Sequence, residues 1–232
     1  MTTAHPTTEP LLFLGGAGLQ PWIWDDLRAM LAVEQTSAVA SRPCGAGSGL
    51  ADYARQAFAD APAATFTIVA HSVGTVVALK MHELAPKRIN GLLGVAGVVP
   101  TAGGSFISSM PFPNRLLLRV AMRIGGTRPP DKVVRNSLCA GLDDNTTGRV
   151  INDFTPEPVA VFRDRIAGGP GPAHVGYVAT AADSELPEKL QNRFAARLGA
   201  DWTRTLTTGH LPMLENPRDL HDALATFLGD RK

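Results

Sequence analysis

The chain has 232 residues, 44% of them hydrophobic, with 22 Lys and Arg against 21 Asp and Glu for a formal net charge of +1. That length suits one domain with a sizeable core, and a near-balanced charge with no basic stripe excludes nucleic acid as an expected partner. Cys44 and Cys139 are too few for a disulfide framework and stand in no metal-type spacing, so both are expected as free thiols and no metal site is expected. The N-terminus from Met1 to Pro10 is polar and lacks a basic region, and the first apolar run, Leu11 to Leu14, is far too short for a signal or a membrane span. The expectation is a cytoplasmic protein with no membrane partner.

Taken in chain order, strand-length apolar runs occur at Leu11 to Gly15, Thr36 to Ser41, Phe66 to Ala70, Gly91 to Val99, Val175 to Thr180 and Thr203 to Leu206. Helical periodicity falls between them at Trp22 to Val33, Leu50 to Ala61, Val73 to Ala85, Pro187 to Leu198 and Pro217 to Leu228, the last opening on proline after Asn216. Such alternation predicts an α/β fold, a mostly parallel sheet of about six strands wrapped by crossover helices. From Pro100 to about Gly171 the pattern breaks into a Pro- and Gly-rich stretch with amphipathic pieces at Asn114 to Ile124 and Asp131 to Leu142. A structureless loop of that length does not suit a compact domain, so this reads as a small helical cap over the sheet, a lid if the protein is an enzyme.

The run Phe66-Thr67-Ile68-Val69-Ala70-His71-Ser72-Val73-Gly74-Thr75 carries the strongest chemical signal. A strand that stops at a serine and restarts as a helix forces the serine into a tight turn that lifts its hydroxyl clear of the sheet, and small residues must stand two positions to either side, here Ala70 and Gly74. The alternative is a serine that merely caps a helix. A nucleophilic serine needs a base and an acid. Of six histidines, His5 lies in the polar tail, His82 and His221 lie within helical patterns, His71 sits on a turn expected to point it elsewhere, and His174 precedes a strand at the wrong sheet edge. His210 follows a strand end in Thr207-Thr208-Gly209-His210, as Ser72 does, and is the candidate base. Asp183, in the loop after Thr180, is the candidate acid, with helix capping as its other reading and Glu185, Asp144 and Asp153 as rivals. The glycine-rich Leu14-Gly15-Gly16-Ala17-Gly18 turn suits an oxyanion loop. The N–H groups of Ala17 and Val73 are the expected donors, with Gly16, Gly18 and Gly74 as supporting positions. Pro21 stands where a dinucleotide-binding turn needs its third glycine, which disfavours a nicotinamide cofactor.

Together, Gly15-Gly16-Ala17-Gly18 before Trp22-Ile23-Trp24, Ala70-His71-Ser72-Val73-Gly74, Asp183 before Leu186-Pro187, and Gly209-His210 before Glu215-Asn216-Pro217 resemble the α/β-hydrolase superfamily over almost the whole chain. The tryptophan pair and the Asp183 to Gln191 segment are most similar to the branch of plant-type methylesterases and hydroxynitrile lyases. The resemblance implies an α/β-hydrolase fold with Ser72 as nucleophile, Asp183 as acid and His210 as base. Three departures stand out. Gly15-Gly16 replaces the usual His-Gly, which changes how the oxyanion loop is braced. Leu211 and Gly16 stand where the lyases carry lysine and threonine, which disfavours cyanohydrin cleavage. The first strand comes early, so the expectation is a smaller sheet without leading hairpin strands.

The expected activity is that of a cofactor-free serine hydrolase cleaving a carboxylic ester, with a thioester or lactone as variants, of a small and largely apolar substrate through an acyl-enzyme. A lyase or cyclase using the same three residues as acid and base, and a non-catalytic receptor on the same fold, are the alternatives. The apolar residues of the cap, Phe106, Ile107, Met110, Phe112, Leu116, Leu117, Leu118, Val120, Met122 and Ile124, suit either a substrate chamber or the cap's own core.

Overall fold

A computed structural model describes residues 9–43, 45, 47–169 and 171–230; His5 and Cys44 lie outside them. Six strands form one parallel sheet in the order β2-β1-β3-β4-β5-β6: β1 (Leu11–Leu14), β2 (Ser37–Val39), β3 (Phe66–His71), β4 (Ile89–Val95), β5 (His174–Thr180) and β6 (Trp202–Leu206). The predicted fold class is thus observed. Parallel strands need crossovers, and α1 (Asp25–Ala29), α2 (Leu50–Ala59) and α3 (Gly74–Leu84) supply the first three. Alternation along β1 and β3 sends Leu12, Leu14, Ile68 and Ala70 to one face, where α2 and α3 cover them. Leu11, Phe13 and Val69 go to the other, beneath α1. With both faces covered, these strands carry no polar alternation and read as continuous apolar runs.

Two expected elements end early. The strand expected to reach Val99 stops at Val95, because Ala96 turns at φ +43° and its N–H pairs with Val178 O at 2.9 Å. The helix expected from Trp22 to Val33 is a 3-10 turn, Pro21–Trp24, continued by α1 only as far as Ala29. Its apolar face is buried through Leu27, whereas Val33 is 99% exposed and has nothing to pack on.

Between β4 and β5 the chain is helical, with α4 (Phe106–Ser109), α5 (Asn114–Gly125), α6 (Asp131–Val133) continuing into a wider π-helical turn at Val134–Leu138, α7 (Asp144–Asp153) and α8 (Val159–Arg163). The sequence signalled only α5 and the α6 region. Ile107, Met122, Val161, Phe162 and Ile166 join one buried cluster with the sheet residues Leu14 and Ala70, which ties the insertion to the sheet. The chain closes with α9 (Glu188–Leu198), α10 (Pro212–Glu215) and α11 (Pro217–Gly229). Cys139 is buried and free, and burial pushes its thiol up to about 11. Among the described residues no helix is long and apolar enough to cross a membrane.

Candidate active site

The strand order reverses between β1 and β3, and in open parallel sheets ligands bind beyond the carboxyl strand ends at such a switch point. Ser72 stands there, directly after β3. Its φ is +52°, a region a β-carbon normally avoids. The conformation is held from three sides: Ser72 N–H donates to Val95 O, and Ser72 O accepts from Val98 N–H and Thr75 N–H, each at 3.1 Å. Gly74 permits the turn, since a methyl group there would lie 2.7 Å from Gly15 O. The serine's backbone is therefore over-determined, as strained functional positions require.

His210 and Asp183 meet beyond the ends of β6 and β5. Their Nδ1–Oδ2 distance is 2.7 Å, and both are buried. Burial works to raise the Asp183 carboxyl, but the hydrogen bond and charge of His210, with bonds from Leu186 N–H and the Thr180 hydroxyl, outweigh it and hold the pKa below the usual value. An ionised carboxylate only accepts, so Nδ1 carries the proton and Nε2 is left with a lone pair. The helix-capping reading of Asp183 is satisfied at the same time: Oδ1 accepts from Glu185 and Leu186 N–H at 2.8 and 2.9 Å, while Oδ2 serves His210. Gln191, fully buried, fastens this loop by donating to Thr180 O at 2.9 Å and Leu186 O at 2.6 Å. The rival acids lie elsewhere. Glu185 accepts from the Ser137 hydroxyl, Asp144 pairs with Arg135, and Asp153 accepts from Trp22 Nε1.

His71 overturns the expectation that its side chain points away. It is the last residue of β3, wholly buried, with its ring centroid 4.7 Å from that of His210. Its Nε2 donates to His210 O at 2.9 Å, which leaves Nδ1 as a buried acceptor without a partner among the described residues. Burial first, and then the charge of His210, lower its pKa to about 3. His71 is a neutral strut that ties β3 to the loop carrying His210. His210 thus contacts the residue that precedes Ser72, and no hydrogen bond joins His210 to Ser72 among the described residues. Gly16 lies over the same ring, where a methyl group would sit 2.6 Å from His71 Nδ1.

The glycine-rich turn after β1 is braced by residues between β4 and β5. Gly18 N–H donates to Glu157 Oε1 at 3.1 Å, and Gly18 O accepts from Thr155 N–H at 3.0 Å. Gly18 holds φ +77°, and a methyl group there would lie 2.1 Å from the Phe154 ring. Buried Glu157 also accepts from Arg42 Nε at 2.6 Å and from the Tyr53 hydroxyl, and Arg42 in turn donates to Leu19 O. Burial, followed by the bond to Glu157, raises the Tyr53 pKa and keeps the phenol protonated. Neither Glu157 nor His71 was singled out from sequence. For Glu157 no local signal existed, since its partners lie 104 to 139 positions away. The N–H groups of Ala17 and Val73 donate to no acceptor among the described residues. Behind this loop a cavity of about 50 Å³ is lined by Gly16, Tyr53, Val73, Val161 and Glu157.

The insertion's apolar residues divide differently from either expectation. Ile107 and Met122 are buried, and Phe106, Met110 and Leu118 pack partly against the core. Phe112, Leu116, Leu117, Val120 and Ile124 are exposed, so they neither fill the insertion's core nor enclose a chamber. His174 hydrogen-bonds Phe227 O and stacks on its ring, a structural role. Among the described residues no cluster of His, Cys, Asp and Glu has the arrangement of a metal site.

Solved structures share this architecture. An extracellular alpha/beta-hydrolase from a Paenibacillus species, described as homologous in structure and function to tobacco Salicylic Acid Binding Protein 2, superposes with a TM-score of 0.76 at 14% identity, covering 94% of this chain and 98% of that one. A methylesterase from Arabidopsis gives 0.72 at 17% identity, with 96% and 99% covered. A variant of tomato Methylketone Synthase I complexed with beta-ketoheptanoate gives 0.76 at 12%, with 97% and 99% covered. At these identities the likeness is one of fold. No curated protein sequence matches the chain. The sequence profile of the alpha/beta hydrolase family matches residues 11–223, nearly the whole length, and the chain belongs to that family.

Proposed function

We propose that the chain is a serine hydrolase that cleaves a carboxylic ester of a small, largely apolar substrate through an acyl-enzyme, and that it needs no cofactor to do so. What supports this reading is the buried Asp183–His210 pair, whose imidazole lies against the ring of His71, together with the strained turn at Ser72, the next residue, at the sheet's switch point. In this reading Ser72 Oγ attacks the carbonyl carbon as its proton passes to His210 Nε2. The resulting imidazolium is stabilised through Nδ1 by Asp183, which stays ionised. Charge developing on the carbonyl oxygen meets the unoccupied N–H donors of Ala17 and Val73, which are fixed before the reaction begins and so cost no reorganisation. His210 then protonates the departing alkoxide, and in a second half-cycle it deprotonates the water that attacks the acyl group and frees Ser72. The Ser72–His210 hydrogen bond forms in the substrate complex, as such contacts tighten on binding.

The test is turnover of a series of p-nitrophenyl esters by wild type and Ser72→Ala, combined with intact-mass detection of an acyl adduct. The expected result is an adduct on wild type alone and a rate lower by at least about a thousandfold in the variant. Turnover unchanged in Ser72→Ala would sink the proposal. Turnover that needs Ser72 yet leaves no trapped adduct under any quench would move the site to base-only chemistry of the lyase or cyclase kind.

A further inference from the structure

The face of α5 that turns away from the body is the least explained surface of the molecule. The helix reads Asn114-Arg115-Leu116-Leu117-Leu118-Arg119-Val120-Ala121-Met122-Arg123-Ile124-Gly125, and only Leu118 and Met122 point inward to the core. At 100° per residue, Leu116, Val120, Ile124 and Leu117 make one continuous apolar arc, flanked on one side by Arg115, Arg119 and Arg123. Leu117 is 63% exposed and Ile124 83%, and Phe112, just before the helix, adds a ring at 71%. Soluble proteins expose single apolar side chains freely, but a contiguous patch of this kind marks a contact surface.

Charge decides which partner. None of Arg115, Arg119 and Arg123 forms an ion pair among the described residues. α5 contains no acidic residue, and Arg119 and Arg123 line an open cleft together with Arg163 and Arg165. Four guanidinium groups are thus gathered beside the apolar arc in a chain whose overall charge is only +1. A second copy docked antiparallel, face to face, would set one arginine row along the other, and in no pairing of two α5 faces does α5 supply a carboxylate for these arginines, which disfavours self-association. An anionic bilayer surface fits both halves: apolar side chains enter the headgroup and acyl boundary while the arginines remain at the level of the lipid phosphates.

We propose that α5 and the Arg119–Arg123–Arg163–Arg165 cleft form a docking surface for anionic lipid bilayers. The expectation of no membrane partner rested on the lack of a spanning segment, and a helix lying in the interface requires none. This surface is separate from the Ser72 site, and the proposal stands whatever reaction Ser72 performs.

The test is co-sedimentation of the full chain with vesicles of phosphatidylcholine containing about a third phosphatidylglycerol, against vesicles of phosphatidylcholine alone. The expected result is partition into the anionic vesicles at least about tenfold above the neutral ones, falling steeply with added salt. Each of Arg115→Gln, Arg119→Gln and Arg123→Gln lowers the partition about fivefold, and Leu117→Gln or Ile124→Gln lowers it about tenfold. All five positions are exposed, so the melting temperature and the turnover of a soluble ester stay at the wild-type level. Equal partition into both vesicle types, or none, overturns the proposal. So does loss on arginine substitution with no effect of Leu117→Gln and Ile124→Gln, which means contact with anions alone. A lipid-free dimer by light scattering that Leu117→Gln dissociates assigns the face to a second copy instead and equally overturns it. Because the vesicle and salt comparisons use wild type alone, the proposal stays testable even if a variant fails to fold.

Discussion

At Ser72 the backbone itself stores strain, and its removal is measurable. A side chain at φ +52° costs about 1 kcal/mol relative to glycine. Ser72→Gly is therefore expected to be more stable than Ser72→Ala by about 1 kcal/mol in urea unfolding, because both remove the hydroxyl and only glycine relieves the turn. His71 makes a second prediction at this scale. Its pKa stands near 3 in the fold against 6.5 for an ordinary histidine, so between those values the unfolded chain binds a proton that the folded chain refuses. Stability from this group is fully present above about pH 6.5 and falls as the pH drops, by about 1.4 kcal/mol per unit. Asp183, whose pKa is lowered, loses its own contribution only below 3.8, clear of the interval from pH 7 to pH 5. Urea unfolding at pH 7 and pH 5 should show wild type losing about 2 kcal/mol more than His71→Gln does. His82, also lowered by partial burial, adds a smaller slope that His82→Gln measures separately. The turn around Ser72 was legible in sequence because small residues at Ala70 and Gly74 signal it locally. The role of His71 was not, because the orientation of a strand's last side chain depends on which loop packs against it.

Among the elements, the strap from Asp153 to Glu157 and the turn at Gly18 form a unit. Glu157→Ala leaves the half-buried Arg42 guanidinium, the Tyr53 hydroxyl and Gly18 N–H without their shared acceptor, and is expected to cost about 3 kcal/mol. Glu157→Gln keeps an acceptor for Gly18 and should recover part of that loss. If Ala17 donates to the oxyanion, Glu157→Ala lowers kcat by about tenfold or more while KM changes little, and Glu157→Gln restores kcat in part. Steady-state kinetics with a soluble ester reads this split, and equal losses in both variants would mean that Glu157 supports stability alone. The glycines of this loop could be picked out from sequence as places of close approach. What approaches them, the His71 ring at Gly16 and the Phe154 ring at Gly18, could not.

For the whole molecule, two apolar layers sandwich the sheet, and the strands have no slack between them. Gly176, in the middle of β5, faces the Phe227 ring of α11, which a methyl group would approach to 2.7 Å, and Leu93, at 2.9 Å. Gly176→Ala is expected to destabilise the fold by about 1–3 kcal/mol and to lower the melting temperature by about 2–4 °C for each kcal/mol. Calorimetry checks this, and ester turnover at low temperature should be preserved because the position lies four residues before the carboxyl end of its strand.

By itself the sequence determined the strands, most of the helices that cover them and the sheet's parallel character, but not the helices α4, α7 and α8 between β4 and β5. Strands buried on both faces must be continuously apolar, and helices that cover them must show a 3.6-residue period, so both signals are local. It also singled out Ser72, Asp183 and His210, because a residue that follows a strand in a parallel sheet lies at the carboxyl edge whatever the remaining topology. Only the tertiary structure decided that Asp183 and His210 approach to 2.7 Å, that His71 and Glu157 brace the His210 loop and the Gly18 turn, and that the apolar face of α5 turns outward. Those facts depend on which segments meet in space, across 27 residues of chain for Asp183 and His210 and 139 for the His71 and Glu157 braces, and no local pattern of side chains encodes that meeting.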